Sequence, residues 1–246
     1  MATFVLAGTA MLGALGVALD YAMKFTGAKD VISTPWRLAF PYLGFLKFDL
    51  TGIPIFCAMA FFGLASSGVA AAIVGVAITL RGGVDLVGGS MKALAEFSTM
   101  VGAYVALSRL KRPKWVAAFM GPIVRAIVMC IANIIVVPLY YQVPLDVVLS
   151  WTPLIALFNI IQGCITVYLG LLVVEAVLRR ASHLLPRNAP ALSGPGELYR
   201  LRETRGAGAL LDGEILQEGH PGAGCGRVLQ KRLWGALYLS WRGHAC

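Results

Sequence analysis

The polar or ionisable side chains that interrupt the long apolar runs of this chain include six of note: Glu96, Arg125, Asn133, Asn159, Gln162 and Glu175. A polar group inside an apolar span is costly and marks a pathway or a binding site more often than ornament. Three of the six are amides, which donate and accept hydrogen bonds without a charge to desolvate. That chemistry suits recognition of a neutral heteroaromatic molecule rather than bond breaking. Packing alone is the competing use, since amides also tie helices together across an interface. Catalysis finds little to work with. All three histidines (His183, His220, His244) lie in the last 66 residues of the chain, and the five cysteines include no CxxC pair. Beyond the first span, only Glu96 and Glu175 supply acids within the spans, and Glu175 with Arg179 at i+4 reads as an interfacial ion pair. A binding protein with no metal or cofactor of its own is expected, not an enzyme.

The elements that must position these groups follow from composition. The chain has 246 residues, 58% of them hydrophobic and 13% charged, with a mean hydropathy of +0.77. A soluble domain carries about 25% charged residues, so lipid rather than water must face much of this surface. A hydrocarbon core of about 30 Å takes about 20 apolar residues per helix. The apolar runs predict an all-α integral membrane protein of about six spans, at 4–23, 52–65, 68–81, 91–108, 115–139 and 152–178. Ser66-Ser67-Gly68 separates the second from the third, and a polar, aromatic connection occupies 24–50. The first segment is expected to be a retained helix, because a signal peptide opens with positive charge and the first lysine is Lys24.

Basic residues in short loops orient such a chain. The 109–114 loop, RLKRPK, carries four, and Arg179 and Arg180 close the last span, whereas 140–151 carries none. Both termini are therefore expected in the cytoplasm of a multi-pass cell-membrane protein, with 24–50, 82–90 and 140–151 outside. The net charge of +9 fits cytoplasmic loops and anionic lipid head groups, and no nucleic-acid partner is expected. Residues 1–180 form the membrane domain. The Gly-, Pro- and Arg-rich residues 181–246 are expected to be a disordered cytoplasmic tail.

In this orientation Asn133 lies roughly 9 Å from the outer end of the fifth span and Asn159 roughly 10 Å from that of the sixth. Gln162 shares the face of Asn159 one turn deeper. Glu96 falls in the outer half of the fourth span, with Lys92 one turn above as an ion partner. Arg125, about ten residues into the fifth span from its cytoplasmic end, either snorkels or pairs internally and is given no role. The connection WRLAFPYLGFLKFDLTGIP (36–54) is rich in rings. It reads either as an interfacial aromatic belt or as a lid over a pocket, with Asp49 or Thr51 capping the next helix. On the first span, Ala10, Ala14, Ala18 and Ala22 repeat every four residues. Such a shallow stripe admits close approach of another helix, from the same bundle or from a separate membrane subunit.

Three stretches, FLKFDLTGIP (45–54), MCIANIIVVPLYY (129–141) and LFNIIQG (157–163), together with the alanine stripe, resemble the substrate-binding S components of energy-coupling factor (ECF) vitamin transporters, the riboflavin type above all. The resemblance spans about residues 4–180. It implies a vitamin held on the outer side between the last three spans and the first loop. Asn133 and Asn159 would bond a flavin ring, and Gln162, Glu96, Tyr42, Phe45, Leu46, Lys47 and Asp49 would complete the site. It further implies that the alanine stripe docks on a transmembrane coupling subunit driven by two ATP-binding subunits. The chain has no GxxxxGK[ST] loop, as a passive capture subunit requires. Gln162 stands where riboflavin-type members carry lysine, so an S component for another vitamin, or a structural membrane protein, stays open.

Overall fold

The computed structural model describes residues 2–44, 46–81, 85–109 and 114–181, all within one compact unit, Met1–Leu198. The expected tail beyond residue 181, the basic loop at 110–113 and the candidate residue Phe45 lie outside the described residues. The described chain is helical: α1 (Ala2–Phe25), α2 (Ala28–Ala39), a 3-10 turn (Pro41–Leu43), α3 (Gly52–Phe62), α4 (Leu64–Arg81), α5 (Leu86–Tyr104), α6 (Lys114–Tyr141) and α7 (Leu145–Ala181). A π-helical turn, Val105–Arg109, continues α5. Four helices, α1, α4, α6 and α7, are long and apolar enough to cross a membrane, and α3 is a shorter apolar helix. The 19-residue α5 carries Lys92 and Glu96.

Several boundaries differ from the sequence expectation, each for a local reason. The second and third spans part at Gly63, not at Ser66-Ser67-Gly68. Gly63 adopts φ 98°, ψ 177°, a conformation essentially restricted to glycine, whereas Ser66 and Ser67 are buried inside α4. The 24–50 connection is not simply a loop. Gly27, at φ 71°, turns the chain out of α1 and into α2. One side of α2 is inward, with Ser33 and Trp36 buried. α5 begins at Leu86 because Asp85 caps it, its side chain accepting from the Gly88 N–H at 2.8 Å. α7 begins at Leu145, seven residues before the expected start, which leaves only 142–144 between α6 and α7.

The helices close on small residues. A Cβ on Gly102 of α5 would lie 2.5 Å from the Met120 carbonyl oxygen of α6, and one on Gly163 of α7 would lie 2.8 Å from Pro122 Cα. Pro122 has no N–H to offer the Ala118 carbonyl, and Cys164 Sγ stands 3.9 Å from that oxygen. Together with Arg125–Asn159 and Cys130–Thr152, these pairs set α6 antiparallel to α7. The apolar core is built around α3, from Ile55 through Phe61, against Val74, Met100 and Val167. A smaller aromatic cluster lies apart. Trp36, Leu43, Phe40 and Phe48 pack on Ile155 and Phe158 of α7, with Phe48 and Phe158 rings 4.6 Å apart.

The alanine stripe of α1 turns away from the bundle. Ala10, Ala14, Ala18 and Ala22 are all exposed, and the close approach inside uses Gly8, Gly13 and Gly16 instead, against Phe62, Ile73 and Val74. Packing within the bundle is therefore not what the alanines do.

Candidate functional site

A cleft of about 290 Å³ lies between facing sides of α5 and α6, closed laterally by Phe158 and Asn159 of α7 and by Leu46, Lys47 and Asp49. Helical periodicity supplies its walls. On α6, Arg125, Met129, Asn133, Val137 and Tyr141 recur every four residues, and on α5, Val87, Gly88, Met91, Lys92 and Ala95 share one face. The cleft runs from a rim at Asp85, Lys47 and Tyr141, through apolar walls, to a polar floor at Arg125, Lys92 and Asn159. A wider depression of about 630 Å³ over α2 has only surface chemistry, because its exposed Asp30 is paired with Lys47 at 2.6 Å and Arg37 at 3.5 Å.

Arg125 organises the floor. It is 3% exposed, and three of its groups of contacts fix it. Nε donates to Asn159 Oδ1 at 3.1 Å, while Nη1 donates to Glu96 Oε1 at 3.0 Å and to Thr99 Oγ1 at 3.3 Å, with the Ala95 carbonyl at 3.5 Å. Nη2 has no partner among the described residues. Arg125 also lines the cleft. Glu96 itself is fully buried and sits behind the floor, its Oε1 shared with Lys92 Nζ at 2.5 Å. Its Oε2 and Thr166 Oγ1 are both unpartnered and both crowd Gly52, where a Cβ would lie 2.3 Å and 2.8 Å from them.

This floor is the end of a longer alternation of charge. Arg81 on α4 pairs with Asp20 on α1, Asp20 with Lys29 on α2, and Lys29 with Asp49 at 3.6 Å. Asp49 pairs with Lys92 at 2.8 Å, Lys92 with Glu96, and Glu96 with Arg125. Every member is at least mostly buried. Removing one charge from such a chain strands its neighbour in low dielectric. Burial alone would raise the Asp49 carboxyl, but Lys92 and Lys29 beside it outweigh burial and hold it below the usual carboxylate range. Burial likewise pushes the Lys29 ammonium down, against the pull of Asp49.

The residues singled out from the sequence divide. Leu46, Lys47, Asp49, Asn133 and Asn159 line the cleft. Lys92 is the ion partner expected for Glu96. Gln162 does not line it: its Nε2 donates to the Asp49 carbonyl at 2.7 Å and its Oε1 accepts from the Asp49 N–H at 3.4 Å, clamping the 46–51 segment onto α7. Tyr42 stacks on Trp151, ring centroids 5.8 Å apart, outside the cleft lining. The matched depths of Asn133 and Asn159 do not hold. Asn159 pairs with Arg125, and Asn133 stands eight residues further along α6, roughly 12 Å away. The early start of α7 accounts for the difference. Asn133 donates to the Met129 carbonyl at 2.7 Å, leaving Oδ1 without a donor among the described residues. Arg125 was the missed residue, and its signal was present: Arg125, Met129 and Asn133 share one helical face.

No protein-family profile and no curated protein matches the chain. Among solved structures, the chain is similar to one described as "Structure and mechanism of the S component of a bacterial ECF transporter". The identity is 22%, the TM-score 0.55, and the match covers 73% of this chain and 98% of that one. The shared feature is the fold.

Proposed function

We propose that this chain is a membrane-embedded capture subunit that binds a vitamin-sized small molecule for an ATP-driven importer. The observation that carries the reading is the cleft: a polar, ion-paired floor under apolar walls, inside an otherwise lipid-compatible helical bundle. A cavity of about 290 Å³ lies just below the usual range for ligand sites, which starts at about 300 Å³. The likeness to an S-component fold and the sequence resemblance favour the same class. The rim, where α5 starts and α6 ends, would face outside, and both termini would be cytoplasmic.

In this reading Asn133 contacts the ligand, Gln162 and the Trp36–Phe48–Phe158 cluster hold the covering segment, and six helices, α1 and α3–α7, make the bundle. The outward alanines of α1 would dock on a transmembrane coupling subunit, which two ATP-binding subunits would drive. The resemblance makes riboflavin or a related flavin the first ligand to assay. Mass spectrometry of small molecules copurified with the protein, followed by calorimetric titration, tests capture. Recovery of no small molecule, together with no heat from a vitamin panel, would refute it. Replacing Ala14 and Ala18 by Trp should abolish copurification with a coupling subunit and spare ligand binding; retention of the complex would remove the docking role.

A further inference from the structure

The alternating chain of charges from Arg81 to Arg125 holds four cations against three carboxylates among the described residues, and its two ends are not equivalent. Arg81 lies 14% exposed with its guanidinium 5.5 Å over the Tyr21 ring, so a π face and solvent share its charge. Arg125 is 3% exposed and lines the cleft, and its Nη2 has no acceptor among the described residues. The other carboxylates at the cleft are already engaged, Asp49 by Lys92 and the Thr51 N–H and O–H, Asp85 by the N-terminus of α5. A buried guanidinium with a free donor pair is recognised best by an oxyanion, through charge-assisted bonds.

On the reading that this cleft captures a small molecule, we infer that its ligand carries one anionic group of the carboxylate class and enters with that group leading. The oxyanion lies on Arg125 Nη2 and completes the charge pairing. Arg125 is then the specificity-determining residue. Asn159 and Glu96 act through it as positioning residues, which explains why both Asn159 groups are taken up by protein, Oδ1 by Arg125 and Nδ2 by the Ile155 carbonyl at 2.8 Å.

The test uses purified full-length chain and an acid–amide pair of equal shape, nicotinate against nicotinamide, with riboflavin as a larger neutral probe. Thermal stability and calorimetry should register the acid at millimolar concentration and the amide at least ten-fold more weakly. Arg125→Gln should remove that preference by lowering acid affinity by the same factor, at least about ten-fold, as loss of a charge-assisted bond requires. Arg125→Lys should restore part of it. Because Arg125→Gln alone strands Glu96, Glu96→Gln/Arg125→Gln serves as the folded control and should bind acid and amide alike. Equal binding of acid and amide by the wild type, no response to the acid, or a preference surviving in both Gln variants would overturn the inference. A neutral molecule recovered with the purified protein would also overturn it while leaving capture intact, and recovery of no molecule would count against capture instead.

Discussion

Asn159 on α7 accepts a hydrogen bond from Arg125 Nε on α6 at 3.1 Å, and this one bond ties the two longest helices together at the floor of the cleft. Arg125 lines the cleft as well, and its Nη2 has no acceptor among the described residues. The same geometry makes the floor sensitive to loss of any partner.

Glu96→Gln should destabilise the protein by about 3 kcal/mol or more, because Lys92 and Arg125 would then face each other without their shared carboxylate. Arg125→Gln should cost a similar amount. The double variant should lose clearly less than the two single losses combined, since neither charge is then stranded. Chemical denaturation in detergent, analysed as a double-mutant cycle, measures the coupling, and additive losses would contradict the pairing.

Gly52→Ala should cost about 1–3 kcal/mol through overpacking, since its Cβ would lie 2.3 Å from Glu96 Oε2 and 2.5 Å from Thr166 Cγ2. Adding Thr166→Ala should return part of the loss by making room. Thermal unfolding of the two variants checks both statements.

Gln162→Ala should loosen the covering segment more than the bundle. Two hydrogen bonds to the Asp49 backbone disappear, each contributing about 1 kcal/mol. Amide exchange should accelerate at residues 46–51 and leave the α3 core unchanged. Uniform acceleration across the protein would show that Gln162 supports the whole fold instead.

Asp49 gives the fold an acid-sensitive element. Its carboxyl is held below the unfolded value of about 4 by Lys92 and Lys29, despite burial. The unfolded chain therefore binds the proton first, so this stability is fully present above about pH 4 and is lost as pH falls through the folded value. Asp49→Asn should be less stable at pH 7 and should show a shallower decline below pH 4 than the wild type. Parallel acid-unfolding curves for the two proteins would remove Asp49 from the list of causes.

Much of the bundle was legible because lipid leaves a strong signature: long apolar runs, few charges within them, and Lys92 four residues before Glu96. The covering segment was harder to read. α2 is short, contains Pro35 and takes its identity from burying Trp36 and Ser33, with Trp36 packed on Ile155 and Phe158 far along the chain. Depth failed for a different reason. The sequence counted Asn159 from Thr152, yet the 145–151 stretch is helical, and the seven-residue error became a mispairing of Asn133 with Asn159. Arg125 was passed over because a lone arginine in an apolar helix has no visible partner along the chain. Its carboxylate is 29 residues away on α5.

Position 162 shows how a proposed binding cleft can be misjudged one residue at a time. Set beside the riboflavin-type pattern, glutamine at 162 registers as a lost cation. The cleft has lost none: Arg125 delivers positive charge about one turn of α7 away, from the facing helix. A lysine restored at 162 would give up the clamp on Asp49 and add a fifth cation to a chain of charges that already has one to spare. On the capture reading proposed above, the charge this cleft offers a ligand is set by its whole lining and not by position 162 alone.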